Sequence, residues 1–328
     1  MNPEEFFTQS RGLVVAPAGF RKTYFIADAF KHVTGKHLIL THTHAGVASI
    51  KAKLSNQKIS KERFQVETIF SLAQRFVLSF YTGSDLPEQD DKKHYFPFVI
   101  RKAADLLARQ HISRIISESY NGLFVDEYQD CTLSQHDFIK QLSGLLPTYL
   151  LGDYLQGIFG FNGEELVDLE CPIQMGGFIE NRFELTEPNR WIHNGNPKLG
   201  DAIKDIRRSL EKSQAIDLSQ WSTIRTILCE SESDIYKPET QAYQALDHLK
   251  KAEKVLVIHP NSGAIASRKT FVNKSGGGFH LLESIDEPEF YEIAKLADET
   301  TSTSIIDSSA KVLVKLFAPS NVEKCIKN

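Results

Sequence analysis

No apolar run in this 328-residue chain approaches the ~20 residues that span a bilayer, and the mean hydropathy is −0.27. The sequence therefore predicts no membrane partner. Met1 to Gln9 carries Glu4 and Glu5 and lacks a basic n-region, which argues against a secretory signal and for a cytoplasmic protein. Cysteine is scarce. The four present (Cys131, Cys171, Cys229, Cys325) never fall in C-x-x-C spacing, so neither a disulfide framework nor a zinc site is expected. A surplus of positive charge is also missing, since 38 Lys and Arg face 42 Asp and Glu for a formal net charge of −4. That removes the signature of a duplex-coating protein, but not a locally basic groove or a surface that stacks bases. There is no internal repeat and no low-complexity tract.

What is present is a globular composition, 41% hydrophobic and 24% charged, over a length that suits about two domains. Five short apolar runs read as buried parallel strands: Leu13–Val15, Leu38–Leu40, Leu123–Val125, Tyr149–Leu151 and Val255–Ile258. Helical patterns lie between them at Tyr24–His32, Ala45–Leu54 and Phe98–Ile116. This alternation predicts an α/β fold, a doubly wound parallel sheet with helices on both faces and ligands at the carboxyl ends of its strands. Ser84–Lys93 reads as an exposed loop, Trp191–Ser222 as a mostly helical connector, and Ser275–Gly278 as a turn between two strands.

The first run leads into A-P-A-G-F-R-K-T, Ala16–Thr23, and then into a helical pattern. Strand, small-residue loop, Lys-Thr and helix form the setting of a phosphate-binding loop, where backbone N–H groups and a helix N-terminus receive an anion. The implied ligands are ATP and Mg²⁺. Ala16, Ala18, Gly19, Phe20 and Arg21 shape the loop, Lys22 reaches the β- and γ-phosphates, and the Thr23 hydroxyl ligates the metal. Arg21 stands where the pattern wants Gly, at a point where a Cβ is poorly tolerated. The same string also suits an ordinary strand-to-helix turn that contains Lys-Thr.

The run Gly122–Val125 ends in D-E-Y-Q-D. A carboxylate at the end of a buried strand can hold Mg²⁺, assigned to Asp126, and its neighbour Glu127 can orient and deprotonate an attacking water. A solvated acidic loop is the plainer alternative. The next run ends in G-D-Y-L-Q, placing Gln156 to sense a γ-phosphate, although taken alone it reads as a loop residue.

Six strings follow in order: A-P-A-G-F-R-K-T, L-T-H-T-H-A-G-V (Leu40–Val47), E-T-I-F-S-L-A (Glu67–Ala73), V-D-E-Y-Q-D (Val125–Asp130), L-G-D-Y-L-Q-G-I-F-G-F (Leu151–Phe161) and L-T-E-P-N-R-W (Leu185–Trp191). Together they resemble the N-terminal motifs of the UvrD/Rep-like superfamily 1 DNA helicases over residues 10–191. The resemblance implies a RecA-like ATP-binding domain over residues 1–190, a helical connector over 191–250 and a partial second RecA-like domain over 251–328. It implies that Arg190 reaches the γ-phosphate, and that Thr41, Thr43, His44, Thr68 and Ser71 contact single-stranded DNA. Phe161 matches the aromatic that stacks on a base; a core aromatic is the alternative.

Departures accompany the resemblance. Arg21 replaces the loop Gly, Asn189 stands where the family has an adenine-stacking Tyr, Phe70 replaces a His, and Asn162 replaces an Arg. Gln9 is the nearest candidate for an adenine-reading Gln. The late K-G-x-E and T-R-A segments have no counterpart after Val255, so the chain reads as stopping partway into a second motor domain. Three readings are therefore expected to compete. The first is an ATP-dependent DNA helicase or translocase. The second is a nucleotide- or DNA-binding regulatory subunit that relies on a protein partner for the absent motor elements. The third is a P-loop NTPase with no nucleic-acid role.

Overall fold

The computed structural model describes residues 3–157, 164–252, 254–258, 265–275 and 278–281. These fall into two compact units that divide after Arg225.

The first unit runs α1 (Pro3–Phe6), β1 (Arg11–Val15), α2 (Lys22–Ala29), β2 (His37–Thr41), α3 (His44–Asn56), β3 (Phe64–Thr68), α4 (Ile69–Phe80), α5 (Lys92–Leu107), α6 (Gln110–Ser119), β4 (Gly122–Val125), α7 (Leu133–Ser143), β5 (Thr148–Gly152), α8 (Pro172–Met175), α9 (Gly177–Glu180), β6 (Arg182–Glu184), α10 (Asn189–His193) and α11 (Pro197–Glu211). The six strands form one sheet in the order β3-β2-β4-β5-β1-β6, and every pairing is parallel. The fold is thus the expected α/β parallel sheet.

The sheet is buried on both faces, as a parallel sheet must be when crossover helices cover it. Strand residues alternate between two cores. Leu13, Val15, Leu38, Leu40, Leu123, Val125 and Leu150 face a core shared with α4 to α7. Val14, Ile39, Phe124, Tyr149 and Leu151 face an aromatic core with Phe6, Phe25 and Phe30. Each fully buried Leu or Phe contributes roughly 1.5–3 kcal/mol, so the strands are held from both sides and their carboxyl ends are fixed relative to one another.

Several expectations are corrected. The pattern over Phe98–Ile116 is two helices, α5 and α6, because Arg109 leaves the helical region at φ −80°, ψ 121°. Two strands, β3 and β6, were not expected. Both sit at sheet edges and are only partly buried, so they lack a continuous apolar run. Val255–Ile258 is not a strand; it is irregular, with Leu256 70% and Ile258 81% exposed. The second unit holds α12 (Gln241–Leu249) and α13 (Ile265–Lys274), so Ser275 follows a helix and not a strand. Most of the span 251–328, expected to carry a partial second domain, lies outside the described residues, as do Phe161 and Asn162. Among the described residues no helix is long and apolar enough to cross a membrane.

Candidate functional site

The phosphate-type loop leaves β1 still tied to the sheet, with Ala16 N–H donating to Gly152 O at 3.0 Å. Gly19 has φ 81°, and a Cβ there would collide with the Trp191 ring. The contact is close because α10 docks on the loop: Arg190 N–H donates to Gly19 O at 3.0 Å, and buried Phe20 meets Trp191 edge-on with centroids 6.2 Å apart. Arg21 caps α2 in the left-handed region, φ 70° and ψ 28°, which costs a non-glycine residue about 1–2 kcal/mol. The backbone thus adopts the conformation that favours Gly, and the Arg side chain turns to the rim. Its Nη2 lies 2.9 Å from His193 Nε2. His193 Nδ1 lies 2.8 Å from Asn189 O, so the tautomer protonated on Nδ1 donates there and leaves Nε2 to accept from Arg21. The first turn of α2 directs its N–H groups into the loop, as every helix start does.

Lys22 meets Glu127 across the strand ends, because β5 alone separates β1 from β4; Thr23 lines the same cavity, and Asp126 is buried next to Glu127 in the chain. Lys22 Nζ donates to Glu127 Oε2 at 2.6 Å. The same oxygen accepts from Gln129 Nε2 at 2.9 Å. Burial opposes ionisation of Glu127, but Lys22 and then Gln129 hold its carboxyl below the usual range. Glu127 also adopts a left-handed backbone, φ 54°, which aims its side chain back across the strand end. Asp126 is 4% exposed. Burial first, then the Glu127 charge, pushes its carboxyl up to about 6, against the pull of Lys22. His42, next to this pair, is pushed down to about 4 by burial, with Glu127 opposing, so it adds no positive charge near neutrality.

The loop after β5 is built differently. Asp153, 1% exposed, accepts two bonds from Arg207 Nη1 on α11, at 2.8 and 2.9 Å. Arg207 Nε also donates to Glu211 at 2.8 Å, and Glu211 accepts from Tyr154 at 2.6 Å. Gln156 Nε2 donates to Asp153 Oδ2 at 2.5 Å. Gln129 joins the two loops: its Oε1 accepts from Asp153 N–H at 3.0 Å while its amide serves Glu127. One chain of hydrogen bonds therefore runs from Lys22 through Glu127, Gln129 and Asp153 to Gln156 and Arg207. Sequence reasoning assigned no role to Gln129 or Arg207. Gln129 carried a signal, lying within D-E-Y-Q-D; Arg207, 54 residues from its partner, carried none.

A cavity of about 330 Å³ opens over this arrangement, lined among others by Ala18, Gly19, Lys22, Thr23, Glu127, Gln156 and Arg190. Arg21, Lys22, Lys53 and Arg190 are the cations of its wall, against the single carboxylate of Glu127, a balance that suits a polyphosphate. Ala16 and Phe20 are buried behind it. Among the described residues no group of three or more His, Cys, Asp or Glu side chains is placed to hold a metal. The Thr23 hydroxyl and the buried Asp126 carboxylate fit Mg²⁺ in its usual mode, with one or two protein ligands and phosphate and water oxygens filling the rest. Gln9 is at the wrong end of the sheet, in a separate cleft of about 990 Å³ shared with Ser10, Arg11 and Pro147.

Of the residues expected to meet DNA, Thr43 and His44 are exposed beyond the carboxyl end of β2. Thr43 also caps α3, accepting from Gly46 N–H at 3.0 Å. Thr41 and Thr68 are buried. Thr68 caps α4 through Ser71 N–H at 3.0 Å and bonds the Ser71 hydroxyl at 2.7 Å.

Residues 89–169 match the family model of the UvrD/REP helicase N-terminal domain. Over that stretch the chain is similar to the UvrD/REP helicase N-terminal domain. The matched span contains Asp126–Asp130 and Gln156 and begins after the phosphate-type loop. Among curated relatives, an ATP-dependent helicase/nuclease subunit of Lactococcus lactis subsp. lactis is 27% identical over 106 residues, covering 32% of this chain and 9% of the relative. The exonuclease/helicase protein RexA of Lactococcus lactis subsp. cremoris is likewise 27% identical over 106 residues, with the same coverage of 32% and 9%. The Gabija protein GajB of Bacillus cereus is 24% identical over 192 residues, covering 56% of this chain and 36% of the relative. The chain thus spans about a tenth to a third of the length of these relatives.

Proposed function

We propose that the chain binds ATP with Mg²⁺ in the cavity over α2 and hydrolyses it to drive movement on single-stranded DNA, as a cytoplasmic helicase or translocase component. The observation that carries this is the Lys22–Glu127 pair at 2.6 Å, set in a cation-rich cavity beyond the carboxyl ends of β1 and β4, in a chain that matches the UvrD/REP helicase N-terminal model over residues 89–169. On binding, Lys22 exchanges Glu127 for phosphate oxygens, which frees the Glu127 carboxylate. Glu127 then accepts a proton from the attacking water and Gln156 orients that water. Lys22 and Arg190 offset charge on the transferring phosphoryl group. Thr23 and Asp126 would hold Mg²⁺, which would supply electrostatic stabilisation of phosphate charge. Thr41, Thr43, His44, Thr68, Ser71 and Phe161 belong to the DNA-facing part of the proposal; Thr43 and His44 are supported by exposure. The division into an ATP-binding domain over 1–190, a connector over 191–250 and a partial second motor domain from 251 is part of the same proposal.

Arg21 favours a second reading, nucleotide binding without turnover in a regulatory subunit. Its side chain ties the loop to His193 at the rim, a contact that Gly would not make. Relatives named as subunits are in keeping with a protein partner for either reading. Phosphate release measured with and without single-stranded DNA decides between them. The first reading expects DNA-stimulated turnover that Glu127→Gln lowers at least about 100-fold with little change in KM. ATP binding with no turnover would replace it with the second.

A further inference from the structure

We propose that Lys53 is a second phosphate-binding cation of this pocket, contacting the terminal phosphate of a nucleoside triphosphate. The proposal rests on the reading that the pocket takes ATP. Lys53 lies on α3 and carries no motif signature, yet its side chain lines the same cavity as Lys22, Thr23 and Arg190.

Three observations converge. Among the described residues Lys53 makes no ion pair, whereas Lys22 in the same wall is paired with Glu127 at 2.6 Å. Lys53 is therefore, with Arg21 and Arg190, a cation of the wall already available to an incoming anion. Its ammonium lies 5.3 Å from the centre of the Tyr24 ring, and the Arg21 guanidinium lies 5.2 Å from the same ring. Tyr24 thus carries two cations at the rim, with Lys53 extended along it. Lys53 shares the cavity wall with Arg190 and Glu127, the groups assigned to the γ-phosphate and the attacking water. This places Lys53 at the terminal-phosphate end. Burial of the side chain disfavours its unpaired charge, and a phosphate oxygen would remove that penalty with a charge-assisted hydrogen bond. A surface lysine held only by solvent would show neither the shared cavity nor these neighbours.

The consequence is discrimination between triphosphate and diphosphate. Calorimetric titration of the full chain with ATP and with ADP, both with Mg²⁺, tests it. Lys53→Ala is expected to weaken ATP about 10-fold or more and ADP less than about 3-fold, and Lys53→Arg to recover most of the ATP affinity. A purely structural role would weaken both nucleotides alike and would show in the melting temperature. ATP binding lost in Lys22→Ala but unchanged in Lys53→Ala would overturn the proposal while leaving the nucleotide site standing. An equal loss for ATP and ADP would also overturn it. Absence of ATP binding in the unsubstituted protein would remove the nucleotide reading and this proposal together.

Discussion

Two loops close the same pocket by opposite means. The loop after β1 is held by backbone conformation and small contacts. Gly19 and Arg21 have positive φ, and Arg21 reaches an exposed histidine and the Tyr24 ring. The loop after β5 is held by buried charge, with Asp153 clamped twice by Arg207 and joined to Gln156. The difference shows where substitution is tolerated. A loop shaped by its backbone can accept Arg in place of Gly if the side chain finds the rim, at a cost of about 1–2 kcal/mol. A loop shaped by a buried pair has no such freedom, because removing Arg207 leaves the buried Asp153 carboxylate without its cation.

Breaking the buried pair has the largest expected effect. Arg207→Ala leaves the Asp153 carboxylate without its guanidinium and is expected to destabilise the first unit by about 3–5 kcal/mol, read from denaturant midpoints. It should also lower turnover through Gln156 with little change in ATP affinity.

A change that acts on neither loop gives the reference for that experiment. His37 opens β2 at the amino end of the sheet, and burial lowers its pKa to about 4 from 6.5. The unfolded chain takes up a proton as pH falls through 6.5, while the folded chain resists until about 4. Stability contributed by neutral His37 is therefore complete above pH 6.5 and lost between 6.5 and 4, by about 3 kcal/mol at most. Unfolding measured from pH 7 to 4 should show this loss in the unsubstituted protein and less of it in His37→Gln, with both loops affected alike.

The smallest expected stability effect belongs to the strained loop. Arg21→Gly removes the left-handed penalty and an exposed contact worth little. It adds glycine flexibility to the unfolded chain, for a net gain of about 0.5–1 kcal/mol in thermal denaturation. If Arg21 limits catalysis, turnover rises with it; a stabilised variant without added turnover places the limit elsewhere.

The contrast also explains what was legible in the sequence. Runs such as Leu38–Leu40 and Leu123–Val125 announced central strands because both faces of a parallel sheet are buried. The positions of the candidate residues followed from the same runs: Asp126 and Glu127 come directly after Leu123–Val125, and Lys22 opens the helix after the loop that leaves β1. Edge strands β3 and β6 stayed hidden because each is only partly buried. The break at Arg109 stayed hidden because no Gly or Pro marks it. Lys53 and Arg207 act across space from helices whose own periodicity says nothing of the partner, and the left-handed turn at Glu127 leaves no trace in a residue type that usually avoids it.

The most direct test of the nucleotide site is an equilibrium titration of the full chain with ATP and Mg²⁺, alongside Lys22→Ala. An ammonium 2.6 Å from Glu127 that passes to phosphate on binding predicts measurable affinity in the unsubstituted protein and a loss of about 100-fold or more in the variant. Equal affinity in the two proteins would contradict it.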